Sequence, residues 1–382
     1  MIRVLQVIDS LGAGGAERSL AESVRPLRER GIHVSVAYFK PTTDGVQALV
    51  ESSTTTHHVP GGRVSRIGEL RSLIRQLRPD LVHTVLFEAD LAGRLAAAGT
   101  GTPVLTSLVN TPYEPERGAD ANVRRSRVEA ARLVEAVGAR FLTTHLHAIS
   151  QAVATSAVTR LHLPGDRITV APRGRDRARL GVPSRARRDT ARARLGLTPT
   201  TPVVLAVGRQ EFQKGHDVLL EAAAPLAEKV PGVQVLVAGR PGNATAALHA
   251  QQRALGLDGT VSFLGHRDDV PELLAAADVF AFPSRFEGLG GSLIEALALG
   301  VPTVASDLPV LREVAGPAAC YVAPGDAGDL ALGLATLLDD EETRASLAAA
   351  GRRRFEERYE LDAAMDALAA IITAVAQARP RR

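Results

Sequence analysis

The sequence predicts an α/β protein built as two parallel-sheet, Rossmann-like halves, and three observations carry that prediction. Short apolar runs alternate with Ala/Leu/Arg-rich helical stretches along the 382-residue chain, the grammar of a parallel sheet with crossover helices. The length suffices for two hydrophobic cores. Between Pro172 and Thr201 the alternation gives way to an Arg-rich, poorly apolar stretch punctuated by Pro183 and Pro199, which reads as an interdomain hinge. The expected domains are 1–178 and 179–360, with 361–382 a last helix and basic tail packing back toward the first domain.

In the first half, β-rich apolar runs place strands at 2–8, 33–39, 80–85, 103–108, 146–149 and 167–171. Amphipathic spacing places helices at 16–30, 66–78, 88–98 and 123–137. In the second half, strands are expected at 202–207, 233–238, 260–264, 278–282, 302–305 and 319–322. The helices there are 215–229, 244–256, 269–276, 291–299, 326–338 and 341–357, after a short one near 187–195. The final helix is expected at 361–377.

Composition narrows the class. Hydrophobic residues make up 45% of the chain and mean hydropathy is close to zero, as in a soluble globular protein, and the cytoplasm or the inner face of a membrane is the expected compartment. No apolar run reaches the ~20 residues of a membrane span. The first residues read as a strand rather than a signal peptide. A lone cysteine, Cys320, excludes an internal disulfide and a cysteine metal cage. The net charge is only +3, aromatics are 3% and Trp is absent, so there is little surface on which to stack bases; no nucleic-acid partner is expected.

The most informative stretch is 282–303, FPSRFEGLGGSLIEALALGVPT. A buried strand leads into an acidic, Gly-rich loop and then into an Ala/Leu helix closed by Gly300 and Pro302. A loop at the carboxyl end of a parallel strand is where such sheets bind ligands. The free N–H groups of the helix start, near Gly290, Gly291, Ser292 and Leu293, suit a phosphate. Glu287 and Glu295 would repel a phosphate they pointed at, so they are better read as acceptors for sugar and ribose hydroxyls. Two plainer readings stay open: Ser292 and Glu295 fit a capping box, and Glu287 pairs with Arg285.

Other segments carry weaker signals. Arg209 and Lys214 lie on a loop between a buried strand and a helix, where two cations can clamp a diphosphate; alone they would be a solvated pair. The loop from Gly12 through Gly14 and Gly15 to Glu17 fails as a dinucleotide fingerprint, because Glu17 stands where a small residue is required. The second strand ends at Phe39 and Lys40, without the acidic residue that would hold an adenosine ribose. Asp268 and Asp269 open a helix, where the dipole favours them. His145 and His147 alternate on a strand with no third ligand nearby, and no metal or cofactor is expected. The segment 66–78 carries Arg66, Arg71, Arg75 and Arg78 beside Ile67, Leu70, Leu73, Ile74 and Leu77. It reads first as a helix covering its sheet and second as a weak peripheral membrane contact.

Taken in order, these motifs resemble the retaining group 1 glycosyltransferases of family four, of GT-B architecture. The matching residues are Gly14-Gly15-Ala16-Glu17, Val207-Gly208-Arg209 with Lys214-Gly215, Phe263-Leu264-Gly265, and Glu287 with Glu295. The resemblance spans roughly 1–360 and is closest in the second half. It implies two Rossmann-like domains facing a cleft, the second holding a nucleotide diphosphate sugar (UDP before GDP) and the first a hydroxyl-bearing acceptor. It gives Gly14 and Gly15 a place facing the donor and lines the base with Leu264, His266 and Arg267, though the last two read equally as surface residues. Arg209, Lys214 and the amides near Gly291 would hold the diphosphate, Glu295 the ribose and Glu287 the sugar. The acceptor hydroxyl would attack from the face the diphosphate leaves, and the leaving phosphate would take its proton. Two departures stand out. Asn110 aligns with a histidine of the family, and Pro172-Arg173-Gly174 replaces its usual Pro-Asn-Gly. An inactive sugar-nucleotide-binding protein and an epimerase of the same architecture are the alternatives.

Overall fold

The structure, a computed structural model, describes residues 1–43, 45–120 and 123–378. It divides into two compact units. One contains 1–114, 124–174 and 361–382, and the other 115–123 and 175–360. The division falls after Gly174, where the sequence suggested 178.

The first unit is built on a parallel sheet of seven strands: β1 (Ile2–Ser10), β2 (Ile32–Lys40), β3 (Thr56–His58), β4 (Leu81–Val85), β5 (Val104–Leu108), β6 (His145–Ala148) and β7 (Ile168–Val170). Their spatial order is β3-β2-β1-β4-β5-β6-β7. The order reverses between β1 and β4, which is a switch point. Strands β4 and β5 are buried along their whole length, because helices cover both faces of a parallel sheet. One layer includes the helix Leu361–Gln377, whose Met365 and Ile372 pack in the same core as Val4, Ile8 and Leu27. The helix Arg63–Leu77 belongs to the opposite layer. Leu70 and Ile74 are buried there, and Arg71 donates to the carbonyls of Leu95 and Ala98. Leu70 and Ile74 thus cover the sheet, as the first reading of that segment expected.

The second unit has six parallel strands: β8 (Val203–Val207), β9 (Gln234–Ala238), β10 (Val261–Gly265), β11 (Val279–Phe282), β12 (Thr303–Ser306) and β13 (Cys320–Val322). Their order is β10-β9-β8-β11-β12-β13, with its switch point between β8 and β11. The Arg-rich stretch expected as a hinge is anchored to this unit. Its helix Arg185–Arg194 carries Arg192, which is almost fully buried. Arg192 donates to the carbonyls of Ala276, Thr198, Pro199 and Thr201 and to Asp278. Asp278 also accepts from Arg188 and from the Val203 amide, so one carboxylate ties this helix to the first strand of the sheet.

Every expected strand and helix is present. Missing from the sequence reading were β3 and the helices Gln47–Ser53, Gln151–Leu161, Arg177–Leu180 and Pro309–Ala315. The helix expected at 123–137 runs Arg125–Leu142. Among the described residues no helix is long and apolar enough to cross a membrane.

Candidate functional site

In the second unit the loops after β8, β9, β10 and β11 emerge side by side at the carboxyl edge of the sheet. Glycine lets them pack backbone to backbone. A Cβ on Gly239 would lie 1.8 Å from the Gly208 carbonyl oxygen, and one on Gly215 would lie 2.0 Å from that of Pro283. Gly215 also sits at φ +64°, where a side chain is strained. The Lys214–Gly215 turn is thereby pressed against the turn that follows β11.

This contact creates the central feature of the site. The Lys214 ammonium forms an ion pair with Glu287 directly across the switch point. Glu287 is 7% exposed and accepts a second bond, 2.9 Å, from the Ser284 hydroxyl. Lys214 Nζ also lies 5.6 Å from the centre of the Phe282 ring. Arg285, the alternative partner for Glu287, is engaged elsewhere. It makes two bonds to Asp217, at 2.8 and 2.7 Å, and stacks on Phe212. Arg209 is exposed and, among the described residues, reaches only Glu211, at 3.9 Å. Gln210 beside it is buried, and its side-chain oxygen has no hydrogen-bond partner among the described residues. Burial pushes His216, at the start of the next helix, down to about 4, with the Lys214 charge adding to the effect.

The helix Gly291–Leu299 begins at Gly290, whose φ of +87° turns the chain into it. No side chain caps this helix start, so its first amides stay available. The capping-box reading is therefore corrected. Ser292 donates instead to the Val207 carbonyl, 3.3 Å, fastening the helix start to the end of β8. Glu295 accepts from Arg175 and Arg179, each at 3.1 Å. Leu293 is wholly buried, so only its backbone amide faces the start of the helix. Arg175 is a residue the sequence reading missed. Its guanidinium lies across Gly291, where a Cβ would come within 2.1 Å of Nη2. Nothing in the sequence distinguishes it from the many arginines around it.

At the end of β10, Leu264 is half-buried and His266 exposed. His266 lies 3.2 Å from Asp268, and Arg267 makes two bonds to Asp269 at 2.7 and 2.6 Å. Both side chains already have local acidic partners.

The remaining expected residues belong to the first unit. Gly14 and Gly15 are exposed at the start of the helix Gly15–Glu29. Glu17 folds back over Gly14, where a Cβ would lie 2.2 Å from its carboxylate, and accepts from the Ser10 hydroxyl. Asn110 lies exposed after β5, its side-chain oxygen accepting from the Thr111 amide. At this unit's switch point Asp9 accepts from the Ala89 amide, 2.7 Å. Burial, opposed by that amide and reinforced by Glu88, raises its pKa to about 6. His147 on β6 is engaged with Ser107 and the Ala171 carbonyl. Among the described residues no three His, Cys, Asp or Glu side chains converge as a metal set.

Comparison with known proteins identifies the family and the fold. The family described as glycosyl transferases group 1 matches residues 187–354, and glycosyltransferase family 4 matches residues 13–179. A D-inositol 3-phosphate glycosyltransferase of Xylanimonas cellulosilytica is 32% identical over 97% of this chain and 93% of its own length. A GDP-mannose-dependent monoacylated alpha-(1-6)-phosphatidylinositol monomannoside mannosyltransferase of Corynebacterium glutamicum is 33% identical over 55% of this chain. That match spans 56% of the relative's length. The crystal structure of Anabaena HepE in complex with UDP and glucose superposes with a TM-score of 0.86, covering 98% of this chain and 100% of that one at 24% identity. The fold is therefore GT-B, and the chain belongs to the group 1, family 4 glycosyltransferases.

Proposed function

We propose that the enzyme transfers a hexosyl group from a nucleotide diphosphate sugar to an acceptor hydroxyl with retention of anomeric configuration. UDP is the favoured nucleotide and GDP the next. The observation that carries the reading is the Lys214–Glu287 pair at the β8–β11 switch point, beside an uncapped helix start. Without donor, each charge neutralises the other. A bound diphosphate competes for Lys214 and accepts from the amides around Gly291 and Ser292. Glu287 is then released to accept from the sugar hydroxyls, with Ser284 keeping it oriented. Arg209 is exposed and weakly held, free to swing onto the diphosphate. Glu295, fixed by Arg175 and Arg179, takes the ribose. The leaving phosphate accepts the acceptor's proton, so Asn110 needs only to position hydroxyls.

UDP in the HepE complex supports the first choice of nucleotide, and the corynebacterial relative's name supports the second. The name of the Xylanimonas relative supports a polyol phosphate among the acceptors to be tried. A thermal-shift panel of UDP- and GDP-sugars tests the donor, since a ligand of the native state raises Tm by mass action. Turnover of the stabilising donor, followed by NMR of the product anomer, tests transfer and retention. Activity is expected to survive EDTA. An inverted product, or loss of turnover in EDTA restored by Mg²⁺, would overturn the corresponding part of the reading.

A further inference from the structure

The helix Arg125–Leu142 is turned against the usual amphipathic rule. Its buried residues are Glu135, Gly138 and Ala139, while Leu133, Val134, Val137 and Phe141 are 58%, 44%, 58% and 72% exposed. The inward face has a local cause. Glu135 accepts from the Tyr113 hydroxyl, 2.5 Å. A Cβ on Gly138 would lie 3.3 Å from the buried Arg94 guanidinium, so only a small residue fits against it. The outward face has no such cause within the unit. Its four large side chains recur at helical spacing and form one continuous stripe. A stripe of this kind on a soluble unit marks an interaction surface.

The charge around the stripe identifies the occupant. Arg124, Arg125 and Arg127 are exposed at one end of the helix and Arg140 at the other. The helix's two acidic residues are both engaged, Glu129 by Arg132 at 2.9 Å and Glu135 by Tyr113. Antiparallel pairing with a second copy would set Arg140 of one chain against Arg124, Arg125 and Arg127 of the other, a like-charge contact. An anionic lipid surface satisfies both features at once. Acyl chains receive the apolar stripe, and headgroups meet the arginines.

We propose that the helix Arg125–Leu142 is a docking face for an anionic membrane, lying in the plane of the headgroups. The helix Arg63–Leu77 is the weaker candidate, because Leu70 and Ile74 are buried, Ile67, Leu73 and Leu77 pack against the core, and Arg71 is bonded to backbone carbonyls, leaving Val64 as its one large exposed apolar side chain among the described residues. The test is vesicle sedimentation of the full chain. One set of vesicles is phosphatidylcholine alone, and the other contains a quarter phosphatidylglycerol. Because the chain has no Trp, Phe141→Trp supplies a single fluorescent reporter. The chain is expected to partition onto the anionic vesicles only, less so in high salt, with the reporter emission shifting to the blue. The triple substitution Leu133→Ser, Val137→Ser, Phe141→Ser should weaken partitioning by at least about tenfold. Since those side chains are solvent-exposed, its Tm and its UDP-induced thermal shift should stay at the parent values. Arg71→Gln with Arg75→Gln should leave partitioning unchanged. Three results overturn the proposal: no partitioning of the parent chain, equal partitioning of the triple variant, or an unshifted reporter in the vesicle-bound chain. A concentration-dependent dimer that the triple variant abolishes, without vesicle binding, would assign the stripe to a second copy instead.

Discussion

Lys214 and Glu287 are 73 residues apart, and in the proposed function each restrains the other until a ligand intervenes. That makes their substitutions asymmetric. Glu287→Gln removes the competitor for the ammonium, so the affinity for bare UDP should stay level or rise by up to about tenfold while turnover falls. Lys214→Ala should weaken UDP and also strand a buried carboxylate, at a cost to stability of about 3 kcal/mol. Calorimetry with UDP, paired with denaturant melts, separates the two effects; equal losses of UDP affinity in both variants would remove the competition from the account. Glu295 behaves differently. It neutralises the buried Arg175 and the half-buried Arg179, so Glu295→Gln should lower stability by about 2–3 kcal/mol as well as nucleotide affinity. A variant that lost affinity with an unchanged Tm would show the two arginines to be indifferent to its charge.

Across the middle of the first sheet a hydrogen-bond chain joins β4, β5, β6 and the residue after β7. The Ala171 carbonyl can only accept, so His147 Nε2 donates to it, 2.8 Å. His147 Nδ1 then accepts from Ser107, 2.8 Å, and Ser107 accepts from His83 Nε2, 2.7 Å. Burial, with the neighbouring histidine and Arg173 adding, pushes His83 down to about 3. Burial outweighs the Ala171 bond and pushes His147 to about 4. Depressed pKa values mean that the unfolded chain binds more protons. Their contribution is complete above pH 6.5 and is lost as pH falls through 6.5 toward 4. Ser107→Ala should leave two buried nitrogens unpaired, at roughly 1–3 kcal/mol each. Asp90 acts in the opposite sense. Burial, opposed by Arg94, raises it to about 7, so its neutral form is preferred in the fold and stability is lost as pH rises from about 4 toward 7. Asp90→Asn should therefore be stabilising at pH 8, by up to about 4 kcal/mol, and near neutral at pH 4. Denaturant melts at both pH values check this; an equal effect at both would rule out linkage through Asp90.

The same elements show what sequence can convey. Val203–Val207 and Val279–Phe282 were legible because a strand buried on both faces is a continuous apolar run, and the loops after them because glycine marks where backbones touch. The strand Thr56–His58 was not, since three polar residues on a sheet edge, two half-buried and one exposed, carry no periodic signal. The Arg175 clamp and the Lys214–Glu287 pair were hidden for another reason: ion pairs across 120 and 73 positions are products of topology, which spacing does not encode. The inverted helix Arg125–Leu142 satisfied the 3.6-residue period equally well with either face inward.

At the scale of the molecule, the last helix is foreign to the unit it follows in sequence. Residues 175–360 make up most of the second unit, yet Leu361–Gln377 completes the core of the first. Its buried Met365, Ile371, Ile372 and Val375 meet the sheet and the helix Gly15–Glu29. Arg30 fastens its outer edge, bonding Asp366 at 2.6 Å and the Asp362 carbonyl at 3.0 Å. Each large apolar side chain removed from water contributes about 1.5–3 kcal/mol, so those four alone supply on the order of 6–12. That is comparable with the whole stability of an ordinary domain, about 5–15 kcal/mol. A chain ending at Glu360 should therefore lose the first unit while keeping the second, whose core cluster includes no residue of that helix. Calorimetry should show the transition of the second unit persisting, with UDP still raising its Tm, and the transition of the first abolished or moved down by tens of degrees. Arg30→Ala in the full chain should have a much smaller effect, because its partners are exposed and such pairs are worth at most about 1 kcal/mol. If the truncated chain kept both transitions near their original temperatures, the apolar face of the helix would not be what holds the first unit together. If both transitions vanished, the two units would not be independent folding units, and UDP binding would be lost with them.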